Sequence, residues 1–223
     1  MAFTIGCPVF TAKVKQQTFN WMSNLVIKHN LCPFAYKPYK NQTVKVSVSW
    51  ASSPSDLLRD MSAEIDLLAS SPPPSPLLSP RPSVPAHPTT TLIVFPHPSS
   101  PVSSFPAMVS TSYSVMSLLD DRSLTPPNPL ALTLVTFHPE ALHSLYESSQ
   151  SDDARSYSLR SPYPTFHLIR EVDLLDVAGK VGLDAPDLIA ARNAEKLRRW
   201  GSGKCKDEWK KGIEGTCDKT RTV

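Results

Sequence analysis

Proline decides where regular structure can run in this chain. There are 23 prolines against 7 glycines in 223 residues, and the prolines are clustered. Proline has no N–H to donate and a fixed φ, so it opens helices and closes helices or strands but does not sit inside them. The apolar patterns between the prolines therefore give segment boundaries as well as segment types.

The first segment, 12–29, reads as a helix. Val14, Trp21, Met22, Leu25 and Val26 recur at three-to-four spacing and form one apolar stripe. Asn30 suits the left-handed position after a helix, Leu31 is placed to fold back onto Val26, and Pro33 forbids continuation. Cys32 then lies just past a helix C-terminus, where the negative dipole end raises a thiol pKa. Val44, Val46 and Val48 alternate with Lys45, Ser47 and Ser49, the pattern of a half-buried strand near a sheet edge. Ser53, Pro54 and Asp56 make a helix-start signature, and Leu57, Met61, Ile65 and Leu68 run down one face after it.

Residues 70–90 are rich in serine and proline and cannot build a packed core, so a disordered insertion is expected there. Residues 91–95 form a short continuous apolar run, a buried strand closed by Pro96-His97-Pro98. Phe105, Met108, Val109, Ser112, Val115 and Leu119 have helical spacing. Residues 130–137 are apolar on both faces, which predicts the central strand of the sheet, closed by His138-Pro139. A polar, serine-rich loop is expected at 147–159.

Residues 165–169 read as a fourth strand, with Thr165, His167 and Ile169 on one side and Phe166, Leu168 and Arg170 on the other. Two helices follow, from 173 to about 181 and from 184 to about 200. In the second, Ile189, Asn193 and Leu197 share a face, so the Asn193 amide is buried and needs partners. The alternation predicts an α/β fold. It is a single layered domain over residues 1–200, with a roughly four-stranded mixed sheet and five to six helices. Residues 201–223 are expected to be a basic flexible tail.

Charge excludes some function classes. The formal net charge is only +3, and residues 196–223 carry nine Lys/Arg against four Asp/Glu, leaving the remainder slightly acidic. The basic segment has Trp200 and Trp209 but no interleaved aromatic pattern, so no nucleic-acid partner is expected. No apolar run approaches the roughly 20 residues that span a bilayer, so no membrane association is expected. The four cysteines contain no Cys-x-x-Cys, and the N-terminus lacks a marked targeting segment; a reducing, cytoplasmic setting is expected.

The densest run of chemistry is residues 160–171, which hold Arg160, Tyr163, His167, Arg170 and Glu171 around a stiff Ser-Pro-Tyr-Pro turn. Together with Cys32, His138 and Asn193 it supports three functional readings. In the first, a small anionic ligand is clamped by Arg160 and Arg170, with Tyr163, His167 and Asn193 completing the binding site. His138 would then be an acid or base, and Cys32 a nucleophile. In the second, Cys32, His138 and His167 form a metal centre suited to zinc or copper. Cys205 and Cys217 make a weaker metal or pairing candidate. In the third, the protein is an interaction module whose residues 70–90 present polyproline to a protein partner.

Each residue also has a structural alternative. Cys32 and His167 fit core positions, Tyr163 fits a turn staple, Arg170 an ion pair, and Arg192-Asn193 a helix-to-loop bond. No cofactor is implied.

Several motifs resemble one family: Asn30-Leu31-Cys32-Pro33-Phe34-Ala35, residues 91–96, Thr136-Phe137-His138-Pro139, Arg160 to Pro164, His167 to Glu171, Arg192-Asn193, and Leu197-Arg198. In that order they are similar to bacterial-type proteins grouped as domain of unknown function 1415, over roughly 19–200. The proline-rich stretch and the basic tail look like additions to that pattern, and residues 140–150 and Ala190-Ala191 depart from it. The resemblance implies a compact soluble domain and no particular activity.

Overall fold

The computed structural model describes residues 7–70, 88–123, 131–143, 153–171, 173–174 and 185–214. Most of the proline-rich stretch at 70–90 and of the expected helix at 173–181 lies outside the described residues, as do residues 147–152 of the serine-rich loop; its second half, 153–159, is described and holds a 3₁₀ turn with Ala154, Ser156 and Tyr157 buried.

The first helix, α1 (Pro8–Trp21), starts on a proline and widens into a π-helical segment, Met22–Ile27. The segment ends where the sequence says it must. Asn30 is left-handed at φ 48°. The Leu31 N–H donates to the Val26 carbonyl at 2.8 Å and the Asn30 N–H to the Ile27 carbonyl at 2.9 Å, the two bonds of a Schellman turn. Val14, Trp21, Met22, Leu25, Val26 and Leu31 are all buried. A short helix, α2 (Tyr36–Lys40), leads to β1 (Val44–Val48).

Helix α3 (Pro54–Ser70) is capped as expected, with the Asp56 N–H donating to Ser53 Oγ at 3.2 Å. The remaining elements are β2 (Thr90–Val94), α4 (Phe105–Ser123), β3 (Leu132–Phe137), a 3₁₀ turn (Ala154–Ser158), β4 (Thr165–Arg170) and α5 (Ala185–Glu214). No helix among the described residues is long and apolar enough to cross a membrane.

The four strands form one mixed sheet in the order β1-β2-β4-β3. β1 runs parallel to β2, and β4 runs antiparallel to both β2 and β3. Helices cover both faces. On one, Leu57, Met61, Ile65 and Leu68 of α3 and Met108 and Val115 of α4 pack on Ile93, Phe95, Phe166 and Leu168. Each such side chain contributes about 1.5–3 kcal/mol when fully buried. On the other face, α1, the π segment and α5 pack on Val46, Leu92 and Val94. The result is an α/β domain of three layers, with β1 at an edge and β2 buried along its whole length.

Two expectations are corrected. β3 is not central: it pairs with β4 alone among the described residues and is half-buried along its length. Its apolar residues do face helices on both sides, Leu132 and Leu134 on one and Phe137 on the other. Apolar character on two faces reports helical cover and says nothing about how many edges are hydrogen-bonded.

The chain is also not a loose tail from Gly201. That glycine, at φ 74° and ψ 158°, breaks α5, and the helix resumes to Glu214. The φ is one that glycine adopts without penalty. The second half folds back onto the domain: Cys205 is buried, Trp209 Nε1 donates to the Arg160 carbonyl at 3.2 Å, and Asn20 Nδ2 donates to the Ile213 carbonyl at 3.3 Å. The region was read as a tail because its charges hide three apolar anchors, Cys205, Trp209 and Ile213.

A chain ending at Trp200 is therefore expected to be less stable than the full chain by at least about 2–3 kcal/mol, from the lost burial alone. Chemical denaturation would show this as a lower midpoint; an unchanged midpoint would contradict the packing described.

Candidate functional site

Between the sheet and the α1–π layer lies a cavity of about 390 Å³. Its helical wall is Trp21, Met22 and Val26. Its floor is the sheet face that carries Val44, Thr90, Leu92, His167, Ile169 and Phe137. Residues of the 32–41 connection close a third side, and Asp173 and Leu174 border it. The π-helical widening places Met22 and Val26 on this wall. Single π turns inside α-helices often occur at functional positions.

His167 is the polar centre of the floor. Register pairs it with Leu92 on β2 and Val135 on β3. Thr90 fixes its ring. The Thr90 hydroxyl has one proton and donates it to the Leu168 carbonyl at 2.8 Å. The bond between Thr90 Oγ1 and His167 Nε2 must then be donated by the imidazole. His167 is thus an Nε2–H tautomer. Nδ1 keeps its lone pair, has no protein partner among the described residues and is not sealed in. Burial lowers the His167 pKa to about 4, so the ring is neutral at physiological pH. Phe137 lies beside it at 6.2 Å between ring centroids, and Trp21 stands edge-on to Phe137 at 5.3 Å. The Trp21 indole N–H is buried without an acceptor among the described residues.

Cys32 lines the same cavity. Its thiol pKa is raised, first by burial, against weaker opposing hydrogen bonds from the Phe34 and Ala35 backbone. The direction is the one expected past a helix end, but burial and not the helix dipole leads it. The thiol is protonated at neutral pH, which is a poor state for a nucleophile.

The other expected site residues go elsewhere. His138 follows Phe137, and alternation along the strand sends it to the opposite face of the sheet from His167. There it is buried against Phe105, accepts the Glu140 N–H at Nδ1 (3.0 Å) and donates from Nε2 to the Ser103 carbonyl (3.3 Å). Its two nitrogens tie the turn after β3 to the segment just before α4. The metal grouping of Cys32, His138 and His167 does not form. Among the described residues no three His, Cys, Asp or Glu side chains come together in a way that could hold a metal ion. Cys205 donates weakly to the Leu197 carbonyl, and Cys217 lies outside the described residues.

Arg160 stacks over Tyr157 at 4.2 Å and donates to the Ala141 carbonyl at 3.3 Å. The Tyr163 hydroxyl donates to Gln17 on α1, and the Tyr163 carbonyl accepts from Ser161 and Thr165. The Phe95 N–H donates to the Pro164 carbonyl at 2.9 Å. Residues 160–164 are therefore a corner that ties β2, α1 and α5 together. Arg170 is buried on the face away from the cavity and bonds Asp173 at 2.7 Å. Asn193 is buried and donates to the Leu31 carbonyl at 2.6 Å.

Of the candidates, the structure brings together Cys32 and His167, and Arg160 and Arg170 do not line the cavity they share. The residues that sequence reasoning missed are Trp21, Thr90 and Phe137. Trp21 sits in an apolar helical stripe that looks identical whether it fills a core or walls a cavity. Thr90 carried a faint signal, a hydroxyl at the strand position paired with Ile169 and diagonal to His167.

Fold and cavity define a three-layer α/β domain with a largely apolar, histidine-floored pocket. The model of the family described as protein of unknown function (DUF1415) matches residues 13–207, so the chain belongs to that family, and the match runs past Gly201 into the second half of α5. No curated protein and no solved structure matches it.

The His167 environment makes a pH prediction. Its folded pKa, about 4, lies below the ordinary 6.5, so the unfolded chain binds more protons between those values. Stability is then lost as pH falls from about 6.5 to about 4, by up to about 3 kcal/mol from this group. His29 and His138, also lowered by burial, act in the same direction. In His167→Phe the acid loss should be smaller than in the wild type, measured by denaturant midpoints at pH 7 and pH 4.5. Equal losses would contradict the assignment.

Proposed function

We propose that the domain binds a small molecule in the cavity over His167. The observation that carries this reading is the partly open space of about 390 Å³ whose walls are mostly apolar and whose floor holds one fixed imidazole. Ligand pockets are commonly about 300–1,000 Å³, mostly apolar, with a few placed polar groups.

The anionic-ligand reading is the weaker one, because Arg160 and Arg170 do not line the cavity, His167 is neutral, and the cation of the lining, Lys37, is an exposed residue. Binding is favoured over covalent catalysis because the Cys32 thiol is held in its protonated form. Cys32 and His167 are the binding residues in this reading, with Trp21 and Phe137 as walls.

Ala35 lines the cavity and stands at the start of α2. Ala35→Phe should fill the space. A thermal-shift screen of small apolar and aromatic compounds should find ligands that raise the wild-type Tm by several degrees. At a hundred times Kd a ligand contributes about 2.7 kcal/mol, and each kcal/mol is worth about 2–4 °C at this size. Ala35→Phe should abolish the shift. Compounds that shift both proteins equally would place binding elsewhere.

A further inference from the structure

The cavity's chemistry narrows what it takes, and the following rests on the binding reading above. We infer that the ligand is a neutral aromatic compound bearing a hydrogen-bond donor, a phenolic hydroxyl or a ring N–H, which it gives to His167 Nδ1. Three observations converge on this class.

The first is the tautomer. Because Thr90 spends its single proton on the Leu168 carbonyl, His167 must donate from Nε2, and only an acceptor is left at Nδ1. An acceptor in apolar surroundings selects for a donor, since a ligand lacking one leaves the ring nitrogen desolvated and unpaired. The second is charge. A carboxylate or phosphate needs a cation against it; the imidazole on the floor is neutral, its charged form disfavoured by burial, and Lys37, the cation of the lining, is an exposed residue in a lining that also holds Asp173. The third is shape. Trp21, Phe137 and His167 follow one another along the wall, with centroids 5.3 Å and 6.2 Å apart. Such a row offers ring edges and faces to a flat partner, the arrangement aromatic pairs prefer. A volume of about 390 Å³ exceeds the roughly 150 Å³ that accommodates benzene, so it admits one ring or two fused rings.

The test is calorimetric titration of the full chain with a matched set: phenol, anisole, toluene, indole, N-methylindole and benzoate. Phenol and indole should bind roughly tenfold tighter than anisole and N-methylindole, which have the same rings without the donor. In His167→Phe that preference should vanish while toluene binding persists. Nitrogen-15 NMR of the wild-type imidazole gives an independent reading that needs no variant: Nδ1 should be the unprotonated nitrogen, and phenol should perturb it more than Nε2. If methylated and unmethylated partners bind equally, the donor claim fails while the binding reading stands. If benzoate binds tightest and raises the His167 pKa, the neutral-ligand claim fails. If no member of the set binds at millimolar concentration, both readings fail.

Discussion

Three consecutive backbone carbonyls hold this structure in register. The π-helical segment ends at a left-handed Asn30, and a helix end leaves its last carbonyls without helical partners. Here α5 supplies them. Lys196 Nζ donates to the His29 carbonyl at 2.6 Å, Arg192 to the Asn30 carbonyl, and Asn193 Nδ2 to the Leu31 carbonyl at 2.6 Å. Two of the donors are cationic, which also answers the negative end of the helix dipole. The second half of α5 adds to the grip where Glu208 meets His29 at 3.1 Å, and Trp200 packs edge-on to the same ring at 4.8 Å.

What depends on this grip is the position of the chain from Cys32 onward. The 32–41 connection closes one side of the cavity, and nothing regular holds it before α2. Its entry point is fixed by Leu31, buried beneath α5. The sheet fixes the opposite wall through the register of β2, β4 and β3. The cavity is thus the gap between two independently anchored surfaces, one held by strand pairing and one by side chains reaching three carbonyls.

The sequence made much of this legible. The stop at Asn30, Leu31 and Pro33, the Ser53 cap, the apolar rows of α1 and α3, and the two faces of β4 all follow from local rules that tertiary packing did not override. The expectation that buried Asn193 needs a partner was met at Leu31. What could not be read was long-range. Alternation said that His138 and His167 lie near strand ends and middles, but only the register of β3 on β4 puts them on opposite faces. Arg160 and Tyr163 read as part of a ligand site because prolines, an arginine and an aromatic cluster there. The same composition makes a rigid structural corner, and the difference lies in partners up to 146 residues away. Empty space leaves no mark on periodicity, so the cavity itself was invisible.

The grip of α5 on the Schellman turn positions the cavity wall. The direct measurement is the rate of Cys32 modification by a small thiol reagent, followed by mass spectrometry, in the wild type and in Asn193→Ala. Labelling of Cys32 should be at least roughly tenfold faster in the variant, since losing a buried hydrogen bond of about 1–3 kcal/mol lets the 32–41 wall open more often. Labelling of the buried Cys205 should stay slow. An unchanged Cys32 rate in a folded variant would contradict the claim.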